Sequence, residues 1–199
     1  MADHVARFYD RLAFAYPVFD LFLGSAKRRL ISRINEETPG PLLEIGVGRG
    51  DNLPIYKHGP VTGVDVSEGM LAFARKKAPA DCSLHVMDAR NLEFPDGAFS
   101  YCVLSYVLSV VDDPCRVMDE VFRVVSPGGK IFILNHESRG EFKEMLNKHV
   151  LRHFSRFLHF SAVFDMGPVV DETKFSKVHR GEYGFLPTIT MLVLERKEN

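Results

Sequence analysis

The chain has 199 residues, 46% of them hydrophobic, and its 25 Lys and Arg nearly balance 26 Asp and Glu, leaving a formal net charge of −1. That size and apolar content suit one domain with a full core over residues 1–199, and the charge balance argues against a nucleic-acid partner. Cys82, Cys102 and Cys115 are odd in number and form no Cys-x-x-Cys pair, which argues against a disulfide framework or a zinc site and for a reducing, cytoplasmic setting. No apolar run approaches bilayer length, and the apolar stretch from Phe14 to Leu23 is broken by Pro17 and Asp20 and lacks the form of a signal peptide.

Taken in order, residues 3–33 read as two helices divided near Pro17, which cannot donate an internal helical hydrogen bond. Val5, Phe8 and Leu12, then Val18, Leu21 and Phe22, recur at helical spacing. Arg7, Arg11, Lys27, Arg28, Arg29 and Arg33 outweigh Asp3, Asp10 and Asp20, a basic amphipathic pattern suited to an anionic membrane surface. A helix docked on the core through its apolar stripe has the same periodicity.

Leu42 to Ile45 read as a buried parallel strand running into Gly46, Gly48 and Gly50 and a helical start at Asp51. Ligands of open α/β sheets sit beyond the carboxyl ends of the strands, so this loop belongs at a binding crevice. Val61 to Asp65 form a second strand that ends in a carboxylate about 20 residues after the loop, where an acid accepts both hydroxyls of a ribose. Ser67 caps the next helix, in which Met70 packs on the core or on a ligand ring. A third strand, Ser83 to Met87, ends in Asp88-Ala89, an acid and a backbone N–H placed to read an adenine amino group and ring nitrogen. The glycine loop has no Lys-Ser/Thr after it, so it is not a phosphate-binding loop.

Phe99 to Leu104 read as a fourth strand that ends at Ser105-Tyr106, and Pro114 opens a helix through Val125. A fifth strand, Lys130 to Asn135, ends at His136-Glu137, where a histidine serves as acid–base group or as a structural hydrogen-bonder. Residues 140–160 form a second basic amphipathic segment; its His149 and His153 have ligand spacing but no acidic or cysteine partner, so no metal is expected. Lys174 to Arg180 and Thr188 to Glu195 read as a closing antiparallel pair.

Glu44-x-Gly-x-Gly-x-Gly50, Asp65, Asp88-Ala89 and the turn Ser126-Pro127-Gly128-Gly129-Lys130, in that order, resemble the class I methyltransferases that use S-adenosylmethionine. The resemblance implies a Rossmann-like α/β fold: a seven-stranded, mostly parallel sheet with an antiparallel last strand, helices on both faces, and an N-terminal helical lid within residues 1–37. It places Asp65 on the ribose, Asp88 and Ala89 on adenine, and Gly46 with Gly48 beneath the methionine part, within a cofactor set that also takes Tyr16, Glu44, Gly50, Asn52, Val66, Met70 and Ser105. Phe8-Tyr9-Asp10-Arg11-Leu12-Ala13-x-x-Tyr16 looks like the segment that opens lipid and quinone methyltransferases and forms their lid.

That opening, Gly48-x-Gly-x-x-Leu-Pro-x-Tyr56, Tyr106-Val107-x-Ser-Val-Val-x-Asp-Pro114 and Asn135-His136 resemble the bacterial soluble phosphatidylethanolamine N-methyltransferases. The implied enzyme is peripheral to the inner leaflet of the cell membrane and methylates phospholipid headgroup amines. His136, Tyr9 and Tyr106 are the catalytic candidates, and Arg180 or Lys27 is set on the substrate phosphate. A C- or O-methyltransferase of a quinone precursor or another apolar molecule fits the same lid, and a membrane-binding module without catalysis is the third reading.

Overall fold

Strand β1 (Leu42–Ile45) is four residues long and buried throughout, so it forms only where both of its faces are covered. The computed structural model describes residues 16–137, 164–183 and 189–198. Within them seven strands pair in one sheet of order β3-β2-β1-β4-β5-β7-β6. β2 (Val61–Asp65), β3 (Cys82–Val86), β4 (Phe99–Ser105) and β5 (Val125–His136) join β1 in a parallel array. β7 (Ile189–Arg196) lies antiparallel between β5 and β6 (Phe175–Tyr183). This is the expected sheet, and its carboxyl-end crevice sits where the strand order turns back at β1 and β4.

Alternation along the strands divides the core. Leu42, Val103, Phe132 and Leu134 face α1 (Tyr16–Ile34) and α2 (Glu68–Ala74), while Leu43, Cys102, Leu104, Ile131 and Ile133 face α3 (Pro114–Val124). α1 docks through Ala26, Leu30 and Ile34, all buried, and leaves Arg28 and Arg29 exposed. Burying one such leucine or isoleucine contributes about 1.5–3 kcal/mol, enough to fix this part of the amphipathic stretch on the sheet. An ion pair of 2.7 Å between Glu37 and Lys130 ties the chain just past α1 to the middle of β5. Nineteen residues of helix extend about 28 Å, so the amino end of α1 rises toward the crevice side.

Element ends differ from the sequence reading by a residue or more, each for a local reason. The glycine loop leads into a single 3-10 turn, Leu53–Ile55, with Pro54 in its first turn and the chain already extended at Tyr56. β3 starts at Cys82, and Met87 turns out of the sheet with its N–H on the Asp65 carbonyl. α3 stops at Val124 and extended chain begins at Val125; register then slips between Phe99 and Tyr101, which absorbs the Pro127-Gly128-Gly129 turn. Pro17 falls in the first turn of α1, where a missing N–H costs nothing. The lid residues before Tyr16, Tyr9 among them, and the amphipathic segment 140–160 with His149 and His153 lie outside the described residues. Of Tyr16 only the backbone is described.

Candidate cofactor crevice and the acceptor side

Three glycines after β1 hold positive φ angles, +68° at Gly46, +54° at Gly48 and +72° at Gly50, and they do so for two reasons. A Cβ on Gly46 would meet Val107 Cγ2 at 2.5 Å, and one on Gly50 would meet the Ala74 Cα at 2.8 Å, so packing forbids a side chain there. A Cβ on Gly48 would meet nothing within 4 Å. Gly46 and Gly48 line the crevice, so Gly48 brings bare backbone to a space that a ligand can fill. Gly46 and Val47 donate their N–H groups to the Val64 carbonyl at 2.8 and 3.1 Å and lock the loop to β2.

Asp65 closes that loop from the next strand. Its Oδ2 accepts the Gly48 N–H and its Oδ1 the Ser67 N–H, both at 2.9 Å. A carboxylate offers about four acceptor positions, so these bonds aim the group and are compatible with ribose hydroxyls. Ser67 Oγ accepts the Met70 N–H at 3.0 Å and caps α2, as expected. Met70 is 2% exposed and also lines the crevice beside Val66, so it serves both the core and the cavity wall.

Ala89 and Asp88 form the next wall, with Arg90 wrapped onto the Asp88 carboxylate. That guanidinium holds the Asp88 carboxyl below its usual range, so the group stays ionised. Ser105 Oγ is buried in the wall and has no partner among the described residues, a donor and acceptor ready for a polar ligand group. Tyr106 follows with φ +60°, the one non-glycine at positive φ among the described residues, held by its N–H on the Leu134 carbonyl at 2.7 Å. Such a backbone costs of order 1–3 kcal/mol and is tolerated where it aims a side chain into a site. Glycine backbone, a ribose-range carboxylate, an acid beside a buried backbone N–H and an orphaned hydroxyl together fit an adenosyl group carrying an amino acid.

Glu44, Gly50 and Asn52 do not line this crevice; they stand behind the loop. Glu44 is 1% exposed, and Asn52 Nδ2 donates to its Oε1 at 2.6 Å. Burial raises the Glu44 carboxyl to about 7 against the opposing effects of Asn52, Lys27 and Tyr56. The Tyr56 phenol is pushed well above its usual range by the same burial and by the Glu44 charge. Lys27, expected on a substrate phosphate, is half-buried, and its charge lowers the Glu44 carboxyl.

The far end of β5 carries a second polar group. Ser109 Oγ donates to Asn135 Oδ1 at 3.3 Å and lies 3.5 Å from His136 Nδ1, while Asn135 Nδ2 donates to the His136 carbonyl at 3.1 Å. Asn135 and Thr190 are fully buried, and Thr190 Oγ1 has no partner among the described residues. Glu137, 2% exposed, takes Arg180 Nη2 at 2.5 Å and the Met166 N–H at 3.3 Å. Arg180 also reaches Glu182 at 3.6 Å. Arg180, likewise expected on a phosphate, is therefore committed to carboxylates, a pairing set by β5 and β6 that local sequence does not announce. His136 and Arg180 lie beyond the walls formed by β1 to β4; Tyr106, bonded to Leu134, connects the two regions. Arg90, Asp112, Ser109 and Glu137 are the site neighbours that sequence reasoning missed; for Arg90 the signal was a cation directly after Asp88-Ala89.

A family model described as a methyltransferase domain matches residues 43–133. In backbone the chain is similar to a possible histamine N-methyltransferase from Thermotoga maritima, with a TM-score of 0.75 at 20% identity over 98% of this chain and 100% of that one. It is as similar to the [4+2]-cyclase SpnF, with a TM-score of 0.76 at 15% identity over 100% and 98% of the two chains. That second likeness shows why fold alone names no reaction. In sequence it is 36% identical over 189 residues to a phosphatidylethanolamine N-methyltransferase of Cereibacter sphaeroides, covering 89% of this chain and 90% of the relative. A demethylmenaquinone methyltransferase of Renibacterium salmoninarum is 30% identical over 75% of this chain and 67% of its own length. With these sequence matches the chain belongs to the class I S-adenosylmethionine-dependent methyltransferases, and its cofactor is S-adenosylmethionine.

Proposed function

We propose that this enzyme methylates phospholipid headgroup amines, phosphatidylethanolamine and its mono- and dimethyl derivatives, at a membrane surface. The observation that carries the reading is the 36% identity to a phosphatidylethanolamine N-methyltransferase over nine-tenths of both chains. Asp65 takes the ribose, Asp88 and Ala89 the adenine, Gly46 and Gly48 pass beneath the methionine part, and Ser105 supplies a hydroxyl to the bound molecule. When bound, S-adenosylmethionine supplies a sulfonium-activated methyl group. A lysine-like primary amine has a pKa near ~10 and must shed its proton before it can attack, and His136 receives that proton. Holding amine and donor in line within a water-poor crevice is worth roughly 7–11 kcal/mol in favourable cases, more than the base contributes. The ring of Tyr106, with Tyr9 and Tyr16 from the lid, holds the cationic methylated amine on its face.

Among the described residues no helix is long and apolar enough to cross a membrane, so attachment falls to a surface contact by the basic amino-terminal segment. The similarity to demethylmenaquinone methyltransferases favours a second reading, C-methylation of a quinone precursor. Purified protein with labelled S-adenosylmethionine and phosphatidylethanolamine vesicles, with and without anionic lipid, separates the two. Labelled headgroups, increased by anionic lipid, support the first. Cofactor binding with no label in unmethylated, mono- or dimethylated headgroups, and label in a demethylated quinone, replaces it with the second.

A further inference from the structure

Most of the Asp88 carboxylate is taken up, and by a single residue. Arg90 donates its backbone N–H to Oδ1 at 2.9 Å, its Nε to Oδ1 at 3.1 Å and to Oδ2 at 3.2 Å, and its Nη2 to Oδ2 at 2.7 Å. The Nε–H is shared between the two oxygens, so three N–H groups take about three of a carboxylate's four acceptor positions and leave about one for an adenine amino group. The backbone bond is fixed by the chain, and the Arg116 Nε on the Arg90 carbonyl at 3.2 Å fixes it further. The bonds from the guanidinium are the ones that can yield. Across the crevice mouth, Asp112 Oδ2 stands 3.6 Å from Arg90 Nη1. Asp112 and Arg90 both line the crevice, from the loops after β4 and β3.

We propose that Arg90 competes with the cofactor's adenine for Asp88 and that Asp112 is the carboxylate that receives the displaced guanidinium. The inference rests on the reading that Asp88 takes the adenine amino group, and adds to it a residue that sets cofactor affinity and purine selectivity. The side chains of Arg90 and Asp112 are 32% and 41% exposed, so the guanidinium moves between carboxylates without leaving or entering a core. Both carboxylates already lie within reach of one guanidinium, at 2.7 and 3.6 Å, so the exchange needs only a small displacement. Selectivity follows from the donor on Asp88. A 6-amino purine must crowd in beside it or displace it, whereas a 6-oxo purine presents an acceptor that the Arg90 guanidinium can serve in place. Arg90 therefore narrows the preference for adenine over hypoxanthine.

Binding of S-adenosylhomocysteine and S-inosylhomocysteine to the full chain, by calorimetry and stopped flow, tests this. Arg90→Ala, with Arg90→Met as a variant that keeps the side-chain stem, is expected to bind the adenosyl compound about fivefold tighter, with faster association, and to discriminate more strongly against the inosyl one. Asp112→Asn is expected to shift affinity the other way, by about threefold, because the displaced guanidinium loses its second carboxylate. Arg90→Ala combined with Asp112→Asn should match Arg90→Ala alone. A merely structural role would weaken binding in every variant. Unchanged or weaker binding in both Arg90 variants overturns the exchange. Asp88→Ala reports separately on the underlying reading: if it binds like the parent and keeps the same purine preference, Asp88 does not read adenine. If it loses affinity while the Arg90 variants do not gain it, only the exchange fails.

Discussion

The crevice formed by β1 to β4 and the sheet edge formed by β5 to β7 are held by different kinds of contact. In the crevice, main-chain groups do most of the positioning: Gly46 and Val47 on the Val64 carbonyl, Gly48 on Asp65, Ser67 on Asp65, Tyr106 on Leu134. At the edge, side chains far apart in sequence hold one another, Arg180 on Glu137 and Ser109 on Asn135. A backbone-built site tolerates varied neighbours and rejects a methyl group; a side-chain-built site does the reverse. The first keeps one cofactor, and the second can be rebuilt for another acceptor, which accords with a shared fold hosting unrelated chemistry.

The largest break should come from Gly50→Ala. Its φ of +72° and the 2.8 Å approach to the Ala74 backbone combine left-handed strain with an overlap that no rotamer relieves. A loss of about 3–4 kcal/mol in chemical unfolding is expected, without any direct contact to the crevice being removed. Arg180→Met tests the edge. It leaves Glu137, 2% exposed, without its arginine and should cost about 3 kcal/mol, with the cofactor dissociation constant of the folded fraction unchanged. A matching loss of cofactor affinity would join the two regions into one site.

Glu44 sharpens the contrast through pH. Its carboxyl is raised by burial from 4.5 to about 7, so between those values the native state holds a proton that the unfolded chain has released. The stabilisation from that proton is complete below about pH 4.5 and is lost as pH rises through 7, an effect of about 3 kcal/mol. Glu44→Gln should flatten this fall in urea titrations between pH 5 and 8, and an unaltered slope would assign it to other groups. The smallest effect on stability belongs to Gly48→Ala, about 1–2 kcal/mol from φ alone since nothing stands within 4 Å of the new methyl. Its cofactor affinity should fall by more than tenfold in calorimetry, because the methyl enters the crevice itself.

Legibility followed the same division. The glycine spacing, Asp65, Asp88-Ala89 and Ser67 are local patterns whose physical demands can be met in few ways, and the structure brings Gly46, Gly48, Val66, Met70, Ala89, Ser105 and Tyr106 into the same crevice walls. Arg180 looked available although Glu182 lies two residues on, because its tighter carboxylate, Glu137, arrives from the end of β5. The amphipathic stripe of residues 26–34 was equally ambiguous, since a membrane and a sheet reward the same periodicity.

By itself the sequence determined the parallel sheet, its crevice and the cofactor loop, because apolar runs, glycines and terminal acids act through backbone conformation over a few residues. Tertiary structure alone decided which charges are spent inside the protein, how Arg90 and Asp112 face each other across the crevice mouth, and that Tyr106 is held in a left-handed conformation. Those outcomes depend on distances between elements remote in the chain, and a linear pattern carries no information about which buried carboxylate a given cation will meet.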